Sequence, residues 1–227
     1  MIRIFDFILS LIAIIFLLPI FILIIPILKF TGEGEVFYYQ SRIGFKGKKF
    51  YIIKFATMKK DSPNLEGGML TIDNDPRILP LGHFLRATKI NELPQIFNIL
   101  LGNMSIIGPR PLTEEIISYY DQESRDIILS SKPGLSGIGS IIFRSEQEIL
   151  SETDNIHKYY SEEIAPYKME LEKWYIYNKS LLLNIKLILV TINAVIFKAS
   201  QLHWRIFNNL PNPPQSLKQK IGFPNGN

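Results

Sequence analysis

Phe7–Leu28 is a run of 22 residues interrupted only by Ser10, Pro19 and Pro26. About 20 apolar residues in a helix reach across the hydrocarbon core of a bilayer, so this segment needs either lipid or a protein wall around it. It is too long for a cleaved signal peptide and lacks a small-residue cleavage site. Pro19 stands in the middle, where it removes a backbone hydrogen bond and bends a helix. Basic residues flank both ends, with the amino terminus and Arg3 before the run and Lys29 and the Arg42–Lys49 cluster after it. The preference of Lys and Arg for the cytoplasmic side then favours both ends on that face. Two paths answer these features: a single spanning helix, or a helix that enters, breaks at Pro19 and returns.

The 227 residues suffice for this segment plus one domain with a core, or two small ones. Hydrophobic residues make up 47%, and their concentration at the N-terminus leaves an ordinary globular remainder. There is no cysteine, which excludes disulfides and thiolate metal sites. Any metal chemistry then falls to oxygen ligands suited to magnesium or manganese. The net charge of +4 suits anionic lipid or phosphorylated substrates and is too dispersed to argue for nucleic acid.

Val36–Gln40 and Phe50–Phe55 read as strands of a small hairpin around Ser41–Lys49. Asp61–Asp75 reads as a loop. One helix is expected after Asn91 from the spacing of Leu93, Ile96, Phe97 and Leu100, with Asn91 or Thr88 as its N-cap. Another is expected from Thr113 to near Lys132, and Glu162–Phe197 reads as mostly helical. Leu181–Phe197, broken by Asn184, Lys186, Thr191 and Asn193, fits a core helix or one lying in the membrane interface. The expected fold is α+β and mostly helical, with a membrane segment over 1–30, a cytoplasmic domain over 31–207 and a flexible tail over 208–227.

Two strings carry the chemistry. In Thr88-Lys-Ile-Asn-Glu-Leu-Pro-Gln95, Pro94 requires the helix to start close by, which places Asn91 and Glu92 near free backbone N–H groups and Arg86 just upstream. In Gly108-Pro-Arg-Pro111, Pro109 and Pro111 restrict the backbone around Arg110, whose guanidinium suits bidentate contact with a phosphate. A helix cap with a water-facing acid, and a rigid turn with a surface arginine, are the plainer alternatives.

These strings occur in a fixed order with Phe5-Asp6, Lys54-Phe-Ala-Thr-Met58, Asp75-Pro-Arg77, Leu85-Arg86, Gly102-Asn-Met-Ser105 and Lys132-Pro-Gly134. Over residues 2–197 the chain resembles the bacterial sugar transferases, the monotopic polyprenyl-phosphate phosphoglycosyl transferases. The resemblance implies a re-entrant helix–break–helix anchor, which with the small hairpin and interfacial amphipathic helices is expected on the cytoplasmic face of the bacterial inner membrane. It implies transfer of a sugar-1-phosphate from a UDP-sugar to polyprenyl phosphate, with Mg2+ as cofactor, at the start of cell-surface glycan assembly. Implied partners are the nucleotide-sugar donor, the polyprenyl phosphate acceptor and the bilayer, with a second copy or downstream glycosyltransferases beyond these.

The implied site comprises Asn91 and Glu92 as the catalytic pair, with Glu92 also on the metal. Lys54, Asp75, Arg77, Arg86, Gln95, Pro109, Arg110 and Glu172 would handle substrate and its phosphates, with Asp75 and Arg77 building or edging the site; for these two a loop-stabilising ion pair is an equal alternative. The family's pattern has Asp–Glu where this chain has Asn91–Glu92, and that aspartate is the nucleophile of a covalent intermediate. A neutral carboxamide is a far poorer nucleophile. Three readings of Asn91 follow: a variant that transfers directly, a non-catalytic relative that binds substrate or scaffolds other transferases, or an inactivating change.

Overall fold

The computed structural model describes residues 2–62, 75–197 and 199–224. It is mostly helical, and the chain divides into two compact units. The N-terminal unit comprises Ile2–Ser41 and Tyr51–Gly102; the C-terminal unit takes Arg42–Phe50 and the chain from Asn103 onward. The expected loop over 61–75 falls largely outside the described residues.

The apolar run forms α1 (Ile2–Phe30), assigned as one helix with Pro19 and Pro26 inside it. Its buried residues are Asp6, Ser10, Phe21, Ile24 and Leu28, while Phe7, Leu11, Ile15, Phe16, Ile22 and Leu23 are exposed. One narrow stripe therefore meets protein and the rest presents hydrocarbon outward. A two-stranded antiparallel hairpin follows, β1 (Phe37–Ile43) and β2 (Lys49–Phe55), close to where aromatic and β-branched content predicts it.

After β2, the N-terminal unit continues with α2 (Pro80–Ala87) and α3 (Gln95–Leu101). Phe21 of α1 packs on Phe97 and Phe55, with ring centroids 5.8 and 5.6 Å apart. Arg3 donates to the carbonyls of Ile99 and Leu100 at 2.5 and 2.8 Å, capping the C-terminal end of α3. Asn98 ties α3 to β2, accepting from the Ile53 N–H at 3.0 Å and donating to the Tyr51 carbonyl at 2.7 Å.

The C-terminal unit contains β3 (Ser105–Ile107), α4 (Glu114–Ser118), α5 (Gln122–Leu129), β4 (Gly134–Ser136), α6 (Ile138–Ile142), α7 (Glu146–Ser151) and α8 (Ile156–Tyr159). A π-helical turn, Tyr160–Ile164, leads into α9 (Ala165–Asn178) and then α10 (Leu181–Ile196), α11 (Leu202–Ile206) and α12 (Gln215–Lys218). β3 and β4 pair in parallel, Ser105 opposite Gly134 and Ile107 opposite Ser136. Three-residue strands carry no periodicity, so this pair was not expected.

Three expectations need correction. The single helix from Thr113 is two helices: Thr113 caps α4, and Asp121 accepts from the Ser124 N–H at 2.9 Å to start α5 afresh. Neither Asn91 nor Thr88 is an N-cap. Lys89, in the left-handed conformation (φ 59°), opens a 3-10 turn over Ile90–Glu92, and Pro94 occupies the cap position of α3. The Thr88 hydroxyl instead donates back to the Phe84 carbonyl at 2.8 Å. Finally, the described part of 208–227, expected as a flexible tail, includes α12 and buries Leu217 and Ile221. Its apolar residues are too sparse to announce a core, yet these two find one, while Leu210 and Phe223 stay half-buried.

Leu181–Phe197 forms a helix, α10, that reaches the core on one face, as the first of its two readings expects. α10 buries Leu183, Leu187 and Val190 together with Asn184, whose side-chain amide is hydrogen-bonded to the Tyr175 hydroxyl at 3.0 Å. Leu182, Leu189, Ile192, Val195 and Ile196 are exposed.

Candidate functional site

The expected site residues fall into two groups, one in each unit. In the N-terminal unit, β2 delivers Lys54 to the 3-10 turn that carries Asn91 and Glu92. Lys54 Nζ lies 3.2 Å from Glu92 Oε1, with side chains 16% and 22% exposed. The pair is half-shielded from water, so its charges are felt more strongly than at an open surface, yet an anion can still reach it. Asn91 and Gln95 are buried, and Asn91 Oδ1 has no hydrogen-bond partner. A buried, orphaned amide oxygen is costly and marks a place where a donor is missing.

Asp75 and Arg77 close on each other. Arg77 Nε and Nη2 donate to Asp75 at 2.9 and 2.6 Å, and Nη1 donates to the Ser62 carbonyl at 3.1 Å. Hydrogen bonds from Arg77 hold the Asp75 carboxyl below its usual range despite burial, and Arg86 adds to that pull. This buried fork braces the segment entering α2, the helix that carries Arg86. Arg86 Nη1 lies 3.7 Å from Met58 Sδ.

In the C-terminal unit, Pro109–Pro111 is held from three directions. The Gly134 N–H donates to the Pro109 carbonyl at 2.8 Å and the Gly108 N–H to the Ser136 carbonyl at 3.0 Å. The hairpin tip contributes Arg42, donating to the Pro111 carbonyl at 3.2 Å. From α9, Glu172 Oε1 accepts the Arg110 N–H at 3.4 Å, and the Tyr175 hydroxyl donates to the Ile107 carbonyl at 3.0 Å. Gly108 and Gly134 make this crossing possible: a Cβ on Gly134 would lie 2.1 Å from the Gly108 nitrogen.

Glu172 is thus buried against backbone, with Oε2 unpartnered and Gly139 leaving room for Oε1. Burial pushes its carboxyl up to about 7, against the Arg110 N–H and the charges of Lys168 and Arg110. One turn earlier, Lys168 Nζ is 2.6 Å from Glu146 Oε1 and sits over the Phe143 and Tyr160 rings at 5.1 and 5.3 Å. Burial outweighs the Glu146 carboxylate and pulls the Lys168 ammonium below its ordinary value. Lys168, Glu146 and Gly139 were not foreseen. The only signal was Lys168 four residues before Glu172, the spacing that puts both on one helix face.

Two predictions follow from this cluster. Glu146→Ala leaves the Lys168 ammonium buried and unpaired, and costs about 3–5 kcal/mol in urea unfolding, whereas Lys168→Met costs less. Glu172 binds its proton more tightly folded than unfolded, so stability is highest below pH 4.5 as far as this group is concerned and falls as pH rises to about 7. The loss is on the order of 3 kcal/mol. Glu172→Gln removes that slope in unfolding curves taken across the range.

Among the described residues, no three His, Cys, Asp or Glu side chains cluster as a metal site. Magnesium, however, is commonly held by one or two protein groups together with substrate phosphates. Glu92, with the orphaned Asn91 oxygen on the same turn, fits that mode.

A long apolar helix with most of its surface exposed suits membrane association, and sequence comparison names the class. The family model for bacterial sugar transferases matches residues 1–198, and the chain belongs to that family. Its relatives include the exopolysaccharide production protein ExoY of Sinorhizobium fredii, 32% identical over 207 residues, covering 85% of this chain and 84% of that protein. The undecaprenyl-phosphate glucose phosphotransferase of Komagataeibacter xylinus is 32% identical over 205 residues, covering 86% of this chain and 36% of the relative. The UDP-glucose:undecaprenyl-phosphate glucose-1-phosphate transferase of Klebsiella pneumoniae is 32% identical over 193 residues, covering 84% and 39%. The chain thus spans most of the first and under two fifths of each of the other two.

Proposed function

We propose that this chain transfers a sugar-1-phosphate from a UDP-sugar to polyprenyl phosphate at the cytoplasmic face of the bacterial inner membrane. The observation that carries this reading is the half-shielded Lys54–Glu92 pair next to the buried carboxamide of Asn91, in a chain whose relatives are named for that reaction. An oxygen of the acceptor phosphate attacks the β-phosphorus of the donor. The bond from that phosphorus to the bridging oxygen breaks, UMP leaves, and a polyprenyl-diphospho-sugar remains. In the N-terminal unit Lys54 and Arg86 offset the charge of the diphosphate; in the C-terminal unit the Arg110 guanidinium suits contact with a phosphate oxygen. Magnesium, when bound with the donor at Glu92, supplies further charge neutralisation. With Asn91 in place of a carboxylate, transfer proceeds in a single displacement.

A returning path for α1 rests on Pro19 inside the helix and on the basic residues at both flanks. The exposed apolar face of α10 suits the lipid boundary, where Leu and Ile enter the acyl region.

The purified full-length protein in detergent, given undecaprenyl phosphate, magnesium and a panel of UDP-sugars, is expected to release UMP. Folded protein that releases none across the panel refutes the reading. The second reading, a substrate-binding relative without turnover, is favoured by Asn91 alone and predicts donor binding with no UMP.

A further inference from the structure

The family match ends at residue 198, yet the chain beyond it is firmly seated. Trp204 and Phe207 are buried, Leu217 is fully buried, and Ile221 is nearly so. These residues follow α9 and the turns before it in reverse order. Phe207 meets Trp174 edge to face, with centroids 5.8 Å apart. The Tyr167 hydroxyl donates to the Pro211 carbonyl at 2.9 Å. Ser216 bonds Glu163 in the π-helical turn. Lys220 lies over the Tyr159 ring at 5.0 Å and pairs with Glu152 at 3.4 Å. From Trp174 back to Glu152, one flank of the helix is covered by a single antiparallel segment.

The other flank carries Tyr160, Ile164, Lys168, Leu171, Glu172 and Tyr175, all buried. Glu172 and Tyr175 are the groups that hold the backbone at Arg110 and Ile107. The π-helical turn Tyr160–Ile164 lies under the segment's far end; such turns are rare interruptions of an α-helix. A helix entered through such a turn needs support to keep a fixed register, and the segment supplies it at both ends.

We propose that residues 199–224 are an intramolecular strap that fixes the position of α9, and through Glu172 the position of Arg110. Its consequence for catalysis rests on the transfer reaction proposed above; the positioning itself does not.

Hydrogen–deuterium exchange on the full-length protein tests this without substrate. Arg110 supplies the sole amide between Pro109 and Pro111, so its rate reports directly on the hydrogen bond to Glu172. Leu217→Asp puts a charge at the deepest point of the strap. The Arg110 amide and those of 165–175 are expected to exchange at least tenfold faster, while amides of 51–55 and 95–101 in the N-terminal unit keep their rates. Should Leu217→Asp unfold the chain, Trp204→Ala, which loosens the strap by removing one ring, decides in its place by the same comparison. A strap that exchanges freely while Arg110 and 165–175 keep their original rates overturns the proposal. Failure to release UMP refutes the transferase reading and leaves the strap untouched.

Discussion

Glu92→Gln lowers UMP release by about 100- to 1,000-fold, the loss expected when one preorganised charge is taken from a site handling a transferring phosphoryl group. The substitution is nearly isosteric, and the Lys54–Glu92 pair is partly open to water, so unfolding free energy changes by no more than about 1 kcal/mol. A folded Glu92→Gln protein with undiminished turnover would remove Glu92 from the reaction. Asn91→Asp is the partner experiment. It puts a carboxylate where the chain has a buried, orphaned carboxamide oxygen, and turnover is expected to rise at least about tenfold as a competent nucleophile becomes available. The two variants together separate the readings of Asn91. Turnover in the unaltered chain that collapses in Glu92→Gln marks direct transfer. Turnover that appears only in Asn91→Asp marks a natural binding relative.

Gly134→Ala destabilises the C-terminal unit by about 3 kcal/mol or more, at the upper end of what overpacking costs. The new Cβ would meet the Gly108 nitrogen at 2.1 Å and the Ser136 carbonyl oxygen at 2.4 Å. Both are backbone atoms of the β3–β4 crossing, so no side chain can swing aside. Gly47→Ala provides the contrast: its φ of +73° disfavours a side chain, but nothing lies within 4 Å. That substitution costs about 1 kcal/mol. Urea unfolding of both variants measures the difference, and equal costs would show that the crossing can relax. Because Gly134 also holds the Pro109 carbonyl, Gly134→Ala is expected to weaken transfer through Arg110 even where the protein stays folded.

His203 adds a pH dependence of opposite sign to that of Glu172. Burial, with help from Arg144, pushes its imidazole down to about 4. The folded state resists protonating it, so stability falls as pH drops from 6.5 toward 4. Unfolding midpoints of His203→Gln against pH should lack this acid limb.

Much of this architecture was legible in the sequence because it rests on local rules. An apolar run of bilayer length announces one long apolar helix, and α1 is that helix. Aromatic and β-branched runs around Gly44 and Gly47 place the hairpin to within a few residues. The two strings around Glu92 and Arg110 are recognisable because prolines and glycines restrict the backbone at fixed spacing. Tertiary structure decided what local rules cannot reach. Asp75 and Arg77 read equally as charges at the edge of a phosphate site or as a loop-stabilising ion pair, and the fold closes them on each other. Glu172 read as a substrate-handling acid, and the fold buries it with one oxygen toward the Arg110 backbone. Residues 208–224 read as a tail because sparse apolar residues reveal nothing until the surface of α9 gives Leu217 and Ile221 somewhere to go. Whether a charge or an isolated apolar side chain meets water, a partner or a core depends on residues far away in the chain, and only the folded backbone brings them within reach.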